Sequence, residues 1–136
     1  MKVTLDTNVL VRLATQDDPA QAAVAMHFLQ KASLIAVPTP ALCELVWVLL
    51  RAYRYTPAQV AHALRSLLQV RQVVCHTPAV LAGLAQLEGG GDFADAAIAF
   101  EGDVLGGTEF VSFDQQAVLL LKAQKRKARL LDKALR

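Results

Sequence analysis

At 136 residues the chain suits one domain, residues 1–136, large enough to bury an apolar core without disulfide or metal staples. Its hydrophobic fraction of 54% and mean hydropathy of +0.36 are high, yet the longest apolar runs are broken by Glu44, Arg51 or Lys122, which excludes a transmembrane helix. The net charge of +2 hides an asymmetry: Lys122 to Arg136 carries seven basic residues against Asp132, a local +6 that leaves −4 for the remainder.

The opening Lys2-Val3-Thr4-Leu5 is a short apolar run ending on Asp6, and it enters a strand pattern rather than a signal peptide. Thr7 and Asn8 follow, and Val9, Leu10 and Leu13 form a helical stripe. Asp18 before Pro19 predicts a capped helix from about Pro19 to Ala32 with Ala22, Met26 and Leu29 inward. Leu34–Val37 reads as a second strand. Thr39-Pro40 then opens a helix to about Tyr53, buried along Leu42, Leu45, Val46, Leu49 and Leu50. Glu44 falls in its first turns, and its apolar neighbours predict a partly buried carboxylate.

Thr56-Pro57 starts a helix to about Leu68, with Val60, Leu64 and Leu67 inward, and Val73–His76 reads as a third strand. Thr77-Pro78 opens a helix ending near Glu88, so the Thr-Pro pair predicts a capped start three times. Gly89-Gly90-Gly91 leads into Asp92, placed as an N-cap, with Asp95 in the next turn. Residues three apart share a helix face, so Asp92 is either a cap alone or an outer ligand beside Asp95. Glu109–Ser112 is a strand closing on Phe113-Asp114, and Gln115 to about Ala123 is a helix. Ala128–Arg136 fits either a last edge strand or a helical tail.

Cys43 and Cys75 lack metal spacing and read as buried reduced thiols of a cytoplasmic protein. His27, His62 and His76 are scattered. The surplus of apolar residues predicts a homodimer or a tight protein partner.

Alternating strands and helices predict an α/β chain: a three-layer sandwich around a mainly parallel sheet of four to five strands. Asp6, Glu44, Asp95 and Asp114 each fall at a strand end or helix start, positions that share one edge of a parallel sheet. Two carboxylates about 4 Å apart repel by about 4 kcal/mol at an effective dielectric of about 20. Protonation or a cation must relieve that. Oxygen-only ligands point to Mg²⁺ or Mn²⁺, suited to hydrolysing phosphate esters.

The blocks Leu5-Asp6-Thr7-Asn8-Val9-Leu10, Cys43-Glu44-Leu45, Asp92-Phe93-Ala94-Asp95-Ala96 and Ser112-Phe113-Asp114 resemble, in order and spacing, the four motifs of PIN-domain ribonucleases. The small format is similar to the VapC-type toxins of toxin–antitoxin pairs. The resemblance implies metal-dependent endonucleolytic cleavage of RNA, often structured RNA such as tRNA, leaving a 5′-phosphate and a 3′-hydroxyl. It also implies a homodimer held inactive by an antitoxin. Carried over, Asp6, Glu44, Asp95 and Asp114 match the metal-binding acids, with Asp6, Asp95 and Asp114 holding the metal and Glu44 as ligand or orienter of the attacking water. Thr7 and Asn8 match the polar pair behind the first acid, and Ser112 stands where the family more often has Thr. The glycine run and the long basic tail are less typical.

Arg12, Lys122, Lys125, Arg126 and Lys127 are candidate RNA phosphate contacts, since a basic segment holds a polyanion near a carboxylate site. Two rivals share the residues. A non-catalytic RNA-binding or scaffolding domain would use the basic tail, but such domains commonly lose an acid and this chain keeps all four. An aspartate-nucleophile phosphatase would use Asp6, but the second acid expected two residues on is Asn8.

Overall fold

The computed structural model describes residues 1–131, and the chain's contacts gather into two compact units, Met1–Thr77 and Pro78–Arg136. In the first unit, β1 (Lys2–Thr4) leads to α1 (Thr7–Thr15) and α2 (Pro19–Leu29), and β2 (Leu34–Ala36) leads to α3 (Thr39–Arg51) and α4 (Pro57–Leu68). β3 (Val73–Val74) completes a parallel sheet in the order β1-β2-β3, with Val3 beside Ile35 and Ile35 beside Val73. A parallel pair requires a crossover, and the helices between the strands supply it. Leu10, Ile35, Val37, Leu42, Leu49, Val60 and Leu64 form the buried interior.

The second unit holds α5 (Thr77–Glu88), α6 (Phe93–Val104), β4 (Phe110–Ser112), α7 (Gln115–Ala123) and β5 (Ala128–Leu130). β4 and β5 pair in parallel, Phe110 beside Ala128 and Ser112 beside Leu130. Leu84, Leu87, Phe93, Ala96, Val118 and Leu121 are buried. Gly83 is a close-approach position, because a Cβ there would lie 2.5 Å from Cε2 of the buried Phe93 ring.

The parallel α/β class agrees with the alternation in the sequence, and hydrogen bonding joins the five described strands as three and two. Ala128–Leu130 takes the strand alternative; the tail from residue 132 on, with Asp132, Lys133 and Arg136, lies outside the described residues.

Four local expectations are corrected. The expected inward Met26 is 49% exposed, because α2 is apolar nearly all round and its pattern selects no face; only Ala22 is buried. Of the three Thr-Pro starts, only Thr56 caps, forming a capping box with Gln59. In α3 and α5 the threonine is itself the first helical residue, and Pro38 is the N-cap of α3 with no side-chain bond. The third strand stops at Val74, since the Thr77 N–H turns back to the Cys75 carbonyl. Cys43 and Cys75 are half-buried rather than fully buried.

Candidate active site

In the first unit, Asp6 follows β1 at the carboxyl end of the parallel sheet and is the N-cap of α1. Its Oδ1 accepts the Thr7 N–H at 2.7 Å. Asp6 and Asn8 are exposed and Thr7 is half-buried. Glu44 is exposed, contrary to the burial expected from its sequence neighbours. The helical period explains this: Ala41, Leu42, Leu45 and Val46 turn inward, while Glu44 shares the outer face with Trp47, three residues on.

Arg12 sits in a side-chain network rather than standing free. Its guanidinium donates to Gln21 Oε1 at 2.8 Å, Asp17 Oδ1 at 3.0 Å and Tyr53 Oη at 3.4 Å, while the Tyr53 hydroxyl donates to Asp17 at 2.5 Å. The Tyr53 hydrogen bond, ahead of Thr15 and the Arg12 charge, holds the Asp17 carboxyl below the usual carboxylate range. The same Tyr53 contact, then Asp17, raises the Arg12 guanidinium.

The second unit brings three acids within electrostatic reach of one another. Asp92 caps α6 through Oδ1 and the Ala94 N–H at 3.0 Å, and Asp95 follows in the first turn. Asp114 caps α7 through Oδ1 and the Ala117 N–H at 3.2 Å, and its own N–H donates to Ser112 Oγ at 2.9 Å. Ser112 therefore fixes the turn that presents Asp114. Asp95 is half-buried, and its carboxyl is pushed up to about 6, first by burial, then by the charges of Asp92 and Asp114. Burial and neighbouring negative charge both disfavour the ionised form of Asp95.

The basic candidates lie elsewhere in this unit. Lys122 is in the last turn of α7, about 12 Å of helix from Asp114. Lys127 precedes β5 beside the start of β4, whereas Asp114 follows the end of β4. Arg126 pairs with Asp103 at 2.9 Å and lies over the Phe100 ring at 5.5 Å.

Two residues escape the sequence reading. Gln86 is fully buried, its Oε1 accepting from Gln124 Nε2 at 2.6 Å, and it lines the glycine turn before Asp92. Gln116 donates to the Gly90 carbonyl at 3.3 Å. Gly90 has φ +95°, and a Cβ on Gly91 would lie 2.6 Å from Leu120 Cδ1 and 3.0 Å from Gln86 Cγ. The glycine run thus lets the chain pass tightly over Gln86 into the Asp92 cap. A buried glutamine within an apolar helix was the available signal.

Among the described residues no three His, Cys, Asp or Glu groups are gathered closely enough to hold a metal ion as placed. The donor chemistry nevertheless fits a hard cation. The candidate ligands are carboxylate oxygens, and the Asp95 carboxyl, raised first by burial and then by two neighbouring charges, would be relieved by a divalent ion.

Parallel strands followed by acids, and helices started by those acids, define a mixed α/β chain with carboxylates placed past its strand ends. The family model of the PIN domain matches residues 3–118, and the chain belongs to that family, whose domain is of nuclease type. No curated protein matches the chain. Among the described residues no helix is long and apolar enough to cross a membrane.

Proposed function

We propose that the chain is a Mg²⁺- or Mn²⁺-dependent endoribonuclease and the toxin of a toxin–antitoxin pair acting on structured RNA. The observation that carries the reading is the PIN family match together with Asp92, Asp95 and Asp114 at the starts of α6 and α7. Asp6, Asp95 and Asp114 are the residues that would hold the metal, with Glu44 as a further ligand or as orienter of the attacking water. When bound, the ion supplies an activated water and stabilises charge on the phosphoryl oxygens.

The chain's own contribution is positional. Asp6 and Asp114 are each fixed at one oxygen by a helix N–H. Ser112 holds the turn under Asp114, and Asp95 rides on a helix capped by Asp92. Glu44, exposed on the outer face of α3, is open to water.

The homodimer and the antitoxin belong to the same proposal. Exposed apolar residues such as Val24, Phe28, Trp47, Leu81 and Ile98 offer surface for a partner to cover. An apolar groove of about 830 Å³ in the first unit, lined by Leu10, Leu13, Leu29, Ile35 and Leu67, does so too.

The test is incubation of purified, antitoxin-free protein with total RNA and Mg²⁺ or Mn²⁺, beside EDTA and Asp6→Asn controls. Asn also caps helices, so the fold should survive that substitution. Discrete fragments absent from both controls are expected. A fully active Asp6→Asn protein would refute the site assignment. RNA binding without cleavage under either metal would favour a binding module instead.

A further inference from the structure

The turn joining α7 to β5 carries a charge pattern that the acid site does not use. Lys125 has φ +64°; its N–H returns to the Lys122 carbonyl at 2.9 Å, and the Arg126 N–H to the Leu121 carbonyl at 3.0 Å. This is a Schellman-type helix end with lysine at the left-handed position that glycine fills at lower cost. Lys122, Lys125 and Lys127 are all exposed, so one tight turn fans out three ammonium groups.

The nearby arginines are otherwise engaged. Arg126 pairs with Asp103 at 2.9 Å, and Arg129 pairs with Glu109 at 3.1 Å. Those two acids are thereby neutralised, and among the described residues the three lysines have no ion-pair partner. One cation would suffice to complement the end of the α7 dipole. Three make a patch for a polyanion.

Its position sets what that polyanion must be. The Phe110 N–H donates to the Lys127 carbonyl at 3.0 Å, which puts Lys127 at the starting edge of the β4–β5 pair. Asp114 follows the opposite edge, and α7 spans the interval, about 12 Å from Asp114 to Lys122. An extended RNA strand bridges that interval with only a few nucleotides, so one short RNA segment can reach from Asp114 to the lysines.

We propose that Lys122, Lys125 and Lys127 form a phosphate-gripping edge remote from Asp114, so that the chain favours RNA long enough to reach both over shorter oligonucleotides. The proposal rests on the nuclease reading for its substrate. Its binding component can be tested without cleavage.

The test compares the full chain with a triple Lys→Gln variant at 122, 125 and 127 and with the matching triple Lys→Arg variant. Fluorescence anisotropy in EDTA would follow a labelled RNA of about 20 nucleotides across a salt series. The Gln variant should lose about tenfold or more in affinity near 0.1 M salt, and its slope of log affinity against log salt should be shallower by about 2. The Arg variant should bind as the parent does. Equal slopes and affinities for parent and Gln variant would overturn the proposal, as would lysine-dependent binding to anionic vesicles stronger than to RNA.

If the parent cleaves RNA, the Gln variant's KM for the long RNA should rise about tenfold, and its KM for a trinucleotide by much less. An equal loss on both substrates would overturn the remote grip and leave the nuclease reading standing. If the parent cleaves nothing, the nuclease reading fails, and the binding series still decides the patch.

Discussion

Replacing Asp95 by Asn should stabilise the metal-free protein at neutral pH and leave it unchanged in acid. Burial, and after it Asp92 and Asp114, push the Asp95 carboxyl up to about 6 from the ordinary 3.8. For a fully buried group a shift of about two units corresponds to about 3 kcal/mol. Asp95 is only half-buried, and solvent screening reduces the expected effect to about 1–2 kcal/mol. The sign follows from which form the fold disfavours. With its pKa raised on folding, Asp95 carries no penalty below about pH 4, where it is protonated in both states. The penalty grows between about 4 and 6 and is complete above 6.

Asn is neutral throughout. In EDTA at about pH 7.5 the variant should melt about 3–6 °C higher than the parent, and at about pH 4 the two curves should coincide. Calorimetric melts across that range make the measurement, with Mn²⁺ added at the high-pH end to narrow the gap by stabilising only the parent. A variant less stable than its parent at neutral pH, or a gap independent of pH, would refute the electrostatic account of this cluster.

Two glycines in helices should respond to alanine with opposite signs. At Gly83 the new Cβ meets the buried Phe93 ring, so Gly83→Ala should cost about 1–3 kcal/mol in denaturant unfolding. At Gly102 nothing lies within 4 Å, so Gly102→Ala should gain about 0.5–1 kcal/mol from helix propensity; a loss there would mean the space is not open. Tyr53→Phe should let the Asp17 carboxyl rise toward its ordinary range, read by NMR titration, because the Tyr53 hydroxyl is the leading cause of its depression. An unmoved Asp17 would assign the depression to Arg12 and Thr15 instead.

Element order was legible because the punctuation is strong. Asp18-Pro19 and Thr56-Pro57 start helices as caps, and Gly89–Gly91 ends one and begins the next. The errors arose where sequence neighbours stood in for spatial ones. Glu44 lies among apolar residues in the chain and on the solvent face in space, because the helix turns 100° per residue. Met26 failed for the opposite reason: a helix apolar on every side has no period to read. The network around Arg12, a candidate phosphate contact, was not legible, because its partners Gln21 and Tyr53 lie 9 and 41 positions away and no local pattern reveals them. The crowding around Asp95 was half legible. Asp92 is three residues off on the same helix, whereas Asp114 arrives through the packing of the second unit.

The choice between cap and ligand at Asp92 dissolves on inspection of the atoms. Asp6, Asp92 and Asp114 each satisfy a helix N–H through Oδ1 alone. A carboxylate has acceptor capacity for about four partners, so a cap occupies a fraction of it and leaves the second oxygen available. Capping also fixes the side chain's rotamer, which lowers the entropy lost when that second oxygen takes a ligand. Asp95 differs: it caps nothing, and its pKa is raised. An acid left unrelieved by the fold is the one that gains most from a cation. The three caps are therefore held by the fold itself, and under the proposed function Asp95 is the residue through which cation binding and stability would be coupled.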